Sequence, residues 1–157
     1  MLVFAYGSNL DPMQMKARCP DVRKVGNAVL KGHRLCFPRL SERRRCGVSS
    51  VEAAKDHDVW GVVFELNEKD LATLDRFEGY QHGRPAAQNG YNRRPILVEI
   101  DGAGTEVQIY IATLSIDPPP PDAIYIGQIR CGARHHGLPD DYQARLALLA
   151  AVAMTKS

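Results

Sequence analysis

The strongest constraint on the fold of this chain is DVWGVVFEL, a mainly apolar run over residues 58–66. Its β-branched and aromatic residues predict a strand, because such side chains pack well on a pleated sheet. The run leads into NEKDLATLDRFEGY, where three apolar residues recur at helical spacing: Leu71, Leu74 and Phe77. Asn67 is the predicted N-cap of this helix, and Gly79 marks its end. A strand followed by an amphipathic helix is therefore expected near the middle of the chain.

Strand patterns dominate the first two thirds of the chain, and helix patterns dominate the last third. LVFAY reads as a first strand, and VRKVGNAVLKGHRLCFP is predicted to be strand material broken at Gly32. PILVEI and EVQIYIATL flank DGAG, and Asp-Gly is a preferred hairpin turn. AIYIGQIRCGARHHG and DDYQARLALLAAVA predict two closing helices. This order predicts one α+β domain over residues 1–157, with a curved or closed sheet.

The composition is that of an ordinary globular protein and argues against several functional classes. Hydrophobic residues make up 45% of the 157 and charged residues 24%, and the formal charge of +2 is too small to indicate nucleic acid. No run approaches the roughly 18 apolar residues that span a membrane. The first residues also lack the charged segment of a signal peptide. We therefore expect a cytoplasmic protein that binds neither nucleic acid nor membrane.

Familiar metal and cofactor motifs are missing from the sequence. None of the four cysteines lies in a C-x-x-C pair, and the five histidines show no H-E-x-x-H spacing. There is no G-x-x-x-x-G-K-[ST] or G-x-G-x-x-G motif, and Gly7-Ser8 does not lie in G-x-S-x-G. We therefore expect no metal and no cofactor. The arginine-rich SERRRC, residues 41–46, is predicted to be a charged loop; a solvated loop is favoured over contact of its three arginines with an acidic partner.

Two polar features stand out as candidates for chemistry. The first is AYGSNL, in which a strand gives way at once to Gly7, Ser8 and Asn9. These residues accept unusual backbone angles and leave N–H groups free, which suits an anionic ligand but also an ordinary turn. The second is Glu78, which ends the central helix between aromatic neighbours. An apolar setting raises the pKa of a carboxyl group and favours a general base, although many glutamates at helix ends are simply solvated.

Three segments occur in an order that resembles the γ-glutamylcyclotransferase-like family: AYGSNL, DVWGVVFEL with LATLDRFEGY, and CGARHHGLPDDYQARL. The resemblance runs from Phe4 to about Leu146. It implies a small mixed β-barrel flanked by helices, with a pocket at one mouth of the barrel. The family's L-D-x-x-E-G motif places the catalytic glutamate at Glu78. The implied substrate-binding residues are those of the first loop and two later tyrosines: Tyr6, Gly7, Ser8, Asn9, Leu10, Tyr91 and Tyr125.

The resemblance also implies an activity. Such an enzyme releases 5-oxoproline from a γ-glutamyl amide, amine or peptide, because the substrate's α-amine attacks its own γ-carbonyl. Glu78 would act as base and then as acid on this small-molecule substrate. The alternative is a non-catalytic relative of the same fold that binds a small ligand or a protein. The chain departs from the family in YQHGRPAAQNG, residues 80–90, which is longer than usual; we expect a flexible loop that acts as a lid or shapes the leaving-group pocket.

Overall fold

Five strands close into a barrel in the computed structural model, which describes residues 1–155. The strands are β1 Leu2–Ala5, β2 Arg23–Ser41, β3 Cys46–Glu65, β4 Tyr91–Ile100 and β5 Ala103–Ala112. Their order around the barrel is β1-β3-β2-β4-β5. Neighbouring strands are antiparallel, except that β1 and β5 meet in parallel at Val3 and Gln108. The predicted α+β fold with a small mixed barrel is confirmed.

Four α-helices surround the barrel: α1 Pro12–Arg18, α2 Glu68–Phe77, α3 Ala123–His135 and α4 Asp140–Thr155. Asn67 caps α2, since its side chain accepts a hydrogen bond of 2.8 Å from the backbone N–H of Asp70. Asp11 caps α1 in the same way, with Pro12 at the first helical position. The β4–β5 turn has positive φ angles at both Asp101 and Gly102, as a tight Asp-Gly hairpin requires. The predicted Asn67 cap and the predicted Asp-Gly turn are confirmed.

Two predictions about β2 and β3 are wrong. Gly32 does not break the strand, because β2 continues through it with a shift in register between Lys31 and His33. Gly32 has a φ of +70°, so it forms a bulge that bends one long strand. In addition, β3 begins at Cys46, well before the predicted start at Asp58. Pairing with β2 holds the weak strand formers of this first half in the sheet.

The core consists of two apolar clusters. One is built from strand side chains and the residue that follows β1, and it includes Phe4, Val63 and Ile109. The other lies between the strands and the helices, and it includes Leu74 and Ile129. The helices are therefore held against the barrel by burial of one apolar face each.

Helix α3 packs tightly against the loop that follows β1. A Cβ atom on Gly132 would lie 2.4 Å from the carbonyl carbon of Leu10, so only glycine allows this approach. His136 Nε2 also lies 3.1 Å from the Leu10 carbonyl oxygen. Leu10 is fully buried beneath this helix. The contact positions the preceding residues, Gly7 to Asn9, at one mouth of the barrel.

Within residues 1–155, none of the helices has both the length and the apolar character needed to cross a membrane. The last two positions of the predicted domain, 156 and 157, lie outside the described residues. The single domain and the cytoplasmic location stay predictions.

Candidate active site

Glu78 lies where α2 meets the start of β4. Its backbone N–H donates to the Leu74 carbonyl at 2.9 Å, which closes the last turn of the helix. Its own carbonyl oxygen accepts a hydrogen bond of 3.0 Å from the N–H of Tyr91. Gly79 follows with a φ of +67°, the left-handed angle that commonly ends a helix. The backbone of Glu78 is thus anchored on both sides.

The loop after β1 reaches the side chain of this glutamate. Residues Ser8–Leu10 form one turn of 3-10 helix, and the Asn9 side-chain amide donates a 2.8 Å hydrogen bond to Glu78 Oε1. The amide oxygen of Asn9 accepts from Arg18 Nη1 at 3.0 Å and from Gln14 Nε2 at 3.1 Å. The two polar features of the sequence therefore meet in space.

One cavity brings together seven of the eight predicted site residues. It holds about 340 Å³ of empty space, its open mouth included. Its lining consists of Phe4, Ala5, Tyr6, Gly7, Ser8, Asn9, Ser49, Glu78, Tyr91, Tyr110 and Tyr125. Leu10 does not line it, because that side chain points into the core.

Ser49 connects the two predicted tyrosines to the barrel wall. Its backbone N–H donates to the Tyr125 hydroxyl at 2.9 Å, and its Oγ lies 2.7 Å from the same hydroxyl. The Tyr91 hydroxyl donates to the Ser49 carbonyl at 2.7 Å. A Cβ on Gly7 would lie 2.3 Å from Ser49 Oγ, so any other residue at position 7 would force the Ser49 side chain or the loop to move. Both tyrosine hydroxyls therefore hold the pocket in shape.

Burial controls the ionisation of Glu78. Loss of hydration raises the pKa of its carboxyl group above the ordinary value, and the nearby Arg18, Asn9 and Arg44 offset part of this effect. Arg18 Nη1 lies 3.6 Å from Glu78 Oε1, and the two side chains are only 10% and 13% exposed. The site thus combines a raised pKa with hydrogen bonding and charge that support the ionised form.

A second network supports the far side of the cavity. Tyr6 donates its hydroxyl proton to the Tyr110 carbonyl oxygen, and the Tyr110 hydroxyl donates to Asp75 Oδ1 at 2.6 Å. Asp75 also pairs with Arg93 at 2.9 Å. Burial raises the pKa of both Tyr6 and Tyr110, so these phenols stay protonated at neutral pH. Tyr6 therefore lines the pocket as an uncharged side chain that its hydrogen bond holds in place.

Several polar residues of the site were not indicated by the sequence: Gln14, Arg18, Arg44, Ser49 and Tyr110. Arg44 lies in the segment predicted to be a solvated loop, yet its guanidinium lies 4.9 Å from the centre of the Tyr125 ring and donates to Gln14 Oε1 at 3.1 Å. No local pattern distinguishes these residues from ordinary surface side chains. Only their distance from Glu78 in the folded chain identifies them.

The segment of residues 80–90 is more structured than predicted. It contains a turn of 3-10 helix, Ala86–Gln88, where no regular element was expected. Arg84 donates to Asn89 Oδ1 at 2.6 Å and to the Gly79 carbonyl at 2.8 Å. The segment is therefore tied to the end of α2, but none of its residues lines the cavity of Glu78. Its action as a lid stays a prediction.

Several known proteins are similar to this chain in fold and in sequence. The family described as "Gamma-glutamyl cyclotransferase, AIG2-like" matches residues 3–127. Gamma-glutamylcyclotransferases of Mus musculus and Bos taurus are 30% and 31% identical to the chain, over 92% of it and 76% of their own lengths. A solved structure named "Gamma-glutamyl cyclotransferase" has a TM-score of 0.83 and 28% identity, covering 94% of this chain and 86% of its own.

The fold, the site and the relatives together define an enzyme of the cyclotransferase type. Its structure is a closed barrel with the buried carboxylate of Glu78 in a cavity at one mouth. The chain belongs to the γ-glutamyl cyclotransferase, AIG2-like family. The resemblance drawn from the three sequence segments is thereby confirmed.

Proposed function

We propose that this enzyme releases 5-oxoproline from a γ-glutamyl compound, with Glu78 as the general base and acid. The observation that carries the proposal is the shared cavity, in which the Glu78 carboxylate faces the loop of residues 6–9. The hydrogen bond from Asn9 keeps the carboxylate at this loop. The names of the relatives support γ-glutamyl compounds as substrates.

The proposed reaction is an internal acyl transfer that balances without water. The α-amine nitrogen of the substrate attacks its own γ-carbonyl carbon, and this new C–N bond closes the five-membered ring. The original amide C–N bond breaks, and the leaving nitrogen departs as an amine. Glu78 accepts the proton that the attacking amine loses and donates it to the leaving nitrogen. The rate acceleration comes from orientation, since a bound substrate that is already folded for ring closure avoids much of the entropic cost of the reaction.

The raised pKa of Glu78 makes this proton transfer easier. An α-amine has a pKa of about 8 and an ordinary Glu about 4.3, so the transfer between them costs about 5 kcal/mol. Burial of Glu78 raises its pKa and narrows this gap. Arg18 and Asn9 meanwhile stabilise the carboxylate, so the base form remains accessible. A positioned base of this kind contributes roughly 10²- to 10⁴-fold to a rate.

The first loop supplies hydrogen-bond donors for the substrate in this proposal. The backbone N–H groups of Gly7, Ser8 and Asn9 are available as donors. Among the backbone hydrogen bonds of the turns and loops within residues 1–155, none is donated by these three groups. Such amides suit a carboxylate or the oxyanion that forms on the γ-carbonyl. We assign both the binding of a substrate carboxylate and the stabilisation of the oxyanion to this loop.

The test is 5-oxoproline release from a panel of γ-glutamyl dipeptides and γ-glutamylamines. We expect native protein to release 5-oxoproline and Glu78→Gln to lose at least about 100-fold of that activity. Glu106→Gln is the matched control, because Glu106 is exposed on β5 and lines neither the cavity nor its mouth. Equal activity of native and Glu78→Gln protein would show that Glu78 is not the base. If the native protein released no 5-oxoproline from any compound in the panel, the non-catalytic alternative would be favoured.

A further inference from the structure

A second, larger cavity opens beside the pocket of Glu78. It shares four lining residues with that pocket: Ser8, Glu78, Tyr91 and Tyr125. It holds about 810 Å³ of empty space, its open mouth included, and the β2–β3 hairpin and the ends of α1 and α2 form its other walls. The second cavity therefore offers space for the leaving group of a substrate whose γ-glutamyl group fills the first.

The second cavity is strongly cationic. Four arginines line it: Arg18, Arg43, Arg44 and Arg76. Among residues 1–155, Glu78 is the sole acidic group in its lining, and Arg18 already pairs with that carboxylate. The other three arginines form no ion pair within the described part of the chain. Three positive charges therefore face this space without a carboxylate in ion-pair contact, although Arg44 also lies near enough to favour the ionised form of Glu78.

Two of these guanidinium groups are held in place by uncharged partners. Arg44 lies over the ring of Tyr125 and donates to Gln14 Oε1. Arg76 donates to Thr73 Oγ1 at 3.1 Å on α2. A guanidinium has five N–H donors, so each retains several for a ligand. Positioning by neutral groups leaves the full charge available to an anion, with the planar geometry that matches a carboxylate.

We infer that the leaving group is an acidic amino acid or peptide that carries at least two carboxylates. The inference rests on the proposed cyclisation and names the substrate class for it. A neutral amine would leave all three charges unmatched, and a single carboxylate would match one of them. An acidic residue adds a second carboxylate, for which the other arginines of the lining are available partners. The specificity would then lie in Arg43, Arg44 and Arg76, which are outside the γ-glutamyl pocket.

The test compares γ-glutamyl-glutamate with γ-glutamyl-glutamine, which have the same size and differ by one negative charge. Binding to the Glu78→Gln protein is measured by titration calorimetry, so that the result does not depend on turnover. We expect the acidic ligand to bind about fivefold tighter or more at low salt, since exposed charge pairs are individually modest. The difference in affinity is expected to shrink in about 1 M salt. At that concentration the Debye length is roughly 3 Å, so attraction between exposed charges is largely screened.

Substitutions then assign the preference to the cavity. Adding Arg43→Gln and Arg76→Gln is expected to reduce the difference, because Arg44 is then the last of the three unpaired arginines in the lining; both substituted side chains are exposed. Adding Arg94→Gln is the control, because this exposed arginine on β4 lines neither cavity. Equal binding of the two ligands, or binding of neither, would overturn the inference. A preference that is undiminished after loss of Arg43 and Arg76 would overturn it as well.

Release of 5-oxoproline by the native protein separates this inference from the proposed function. Turnover of neutral and acidic γ-glutamyl dipeptides at equal kcat/KM would leave the cyclisation standing and refute the acidic leaving group. A binding preference with no release from any substrate would refute the cyclisation and the leaving-group assignment together. A higher kcat/KM for the acidic dipeptide, reduced on loss of Arg43 and Arg76, supports both.

Discussion

Asn9 and Glu78 are joined by a 2.8 Å hydrogen bond from the side-chain amide of the first to the carboxylate of the second, although 69 positions separate them in the chain. The amide oxygen of Asn9 accepts from Arg18, which also lies 3.6 Å from the same carboxylate. The three side chains form a closed triangle in which each one orients the next. Loss of Asn9 or Arg18 is therefore expected to change the protonation of Glu78.

Glu78→Gln is expected to change stability in a way that depends on pH. Burial raises the pKa of Glu78 above its unfolded value, so the folded protein holds this proton more tightly than the unfolded chain does. The resulting stabilisation is fully present below the unfolded pKa of about 4.3 and is lost as the pH rises through the folded pKa. Calorimetry from about pH 4 to pH 8 is expected to show the native Tm falling relative to that of Glu78→Gln. A difference that stays constant with pH would contradict this reading of the buried carboxyl.

Arg18→Gln is expected to move the acid limb of the pH profile. Arg18 favours the ionised form of Glu78, so its removal raises the pKa of that carboxyl further. The kcat/KM profile for 5-oxoproline release is then expected to shift to higher pH, with the loss of activity greater at pH 6 than at pH 8. An unchanged acid limb would show that Arg18 does not act through Glu78.

The same substitution is expected to cost about 1–3 kcal/mol of unfolding free energy, because it leaves a buried charged partner unsatisfied. Arg23→Gln is the control, since the Arg23 and Glu65 side chains are 75% and 46% exposed. That exposed pair is expected to contribute less than about 1 kcal/mol. Urea unfolding of both variants measures the contrast.

Gly7→Ala is expected to damage the pocket directly. The new Cβ would lie 2.3 Å from Ser49 Oγ, and Ser49 is held by the Tyr125 hydroxyl. We expect a loss of about 1–3 kcal/mol in stability from the forced displacement, and up to about 100-fold in kcat/KM from the misplaced loop. Gly127→Ala is the control, because nothing lies within 4 Å of its Cβ position on α3; it is expected to gain about 0.5–1 kcal/mol. Partial recovery in the double variant Gly7→Ala, Ser49→Ala would identify the clash as the cause.

Tyr125→Phe is expected to destabilise the wall of the cavity by about 1–3 kcal/mol, because the buried N–H of Ser49 loses its acceptor. Tyr80→Phe is the control, since its exposed hydroxyl lies 3.5 Å from His82; a change within about 0.5 kcal/mol is expected. Denaturant unfolding at neutral pH measures both. Equal stability of the two variants would mean that the Tyr125 hydroxyl has no structural role.

Much of the local structure could be predicted because its signals lie within a few residues of one another. The Asn67 side chain caps the helix that it precedes, and Asp101-Gly102 supplies the positive φ angles of its own turn. Glu78 and the first loop were recognised from motifs for the same reason. These elements form from short-range chemistry that the tertiary structure does not override.

The sequence by itself determined the α+β class, the central helix, the β4–β5 hairpin and the identity of Glu78 as the candidate base. Only the tertiary structure decided that Gly32 lies in a bulge, that β3 begins at Cys46 and that Arg18 and Ser49 belong to the site. The physical reason is that these features depend on partners far along the chain. Strand pairing holds weak strand formers in the barrel, and closure of the barrel brings Glu78 to the first loop.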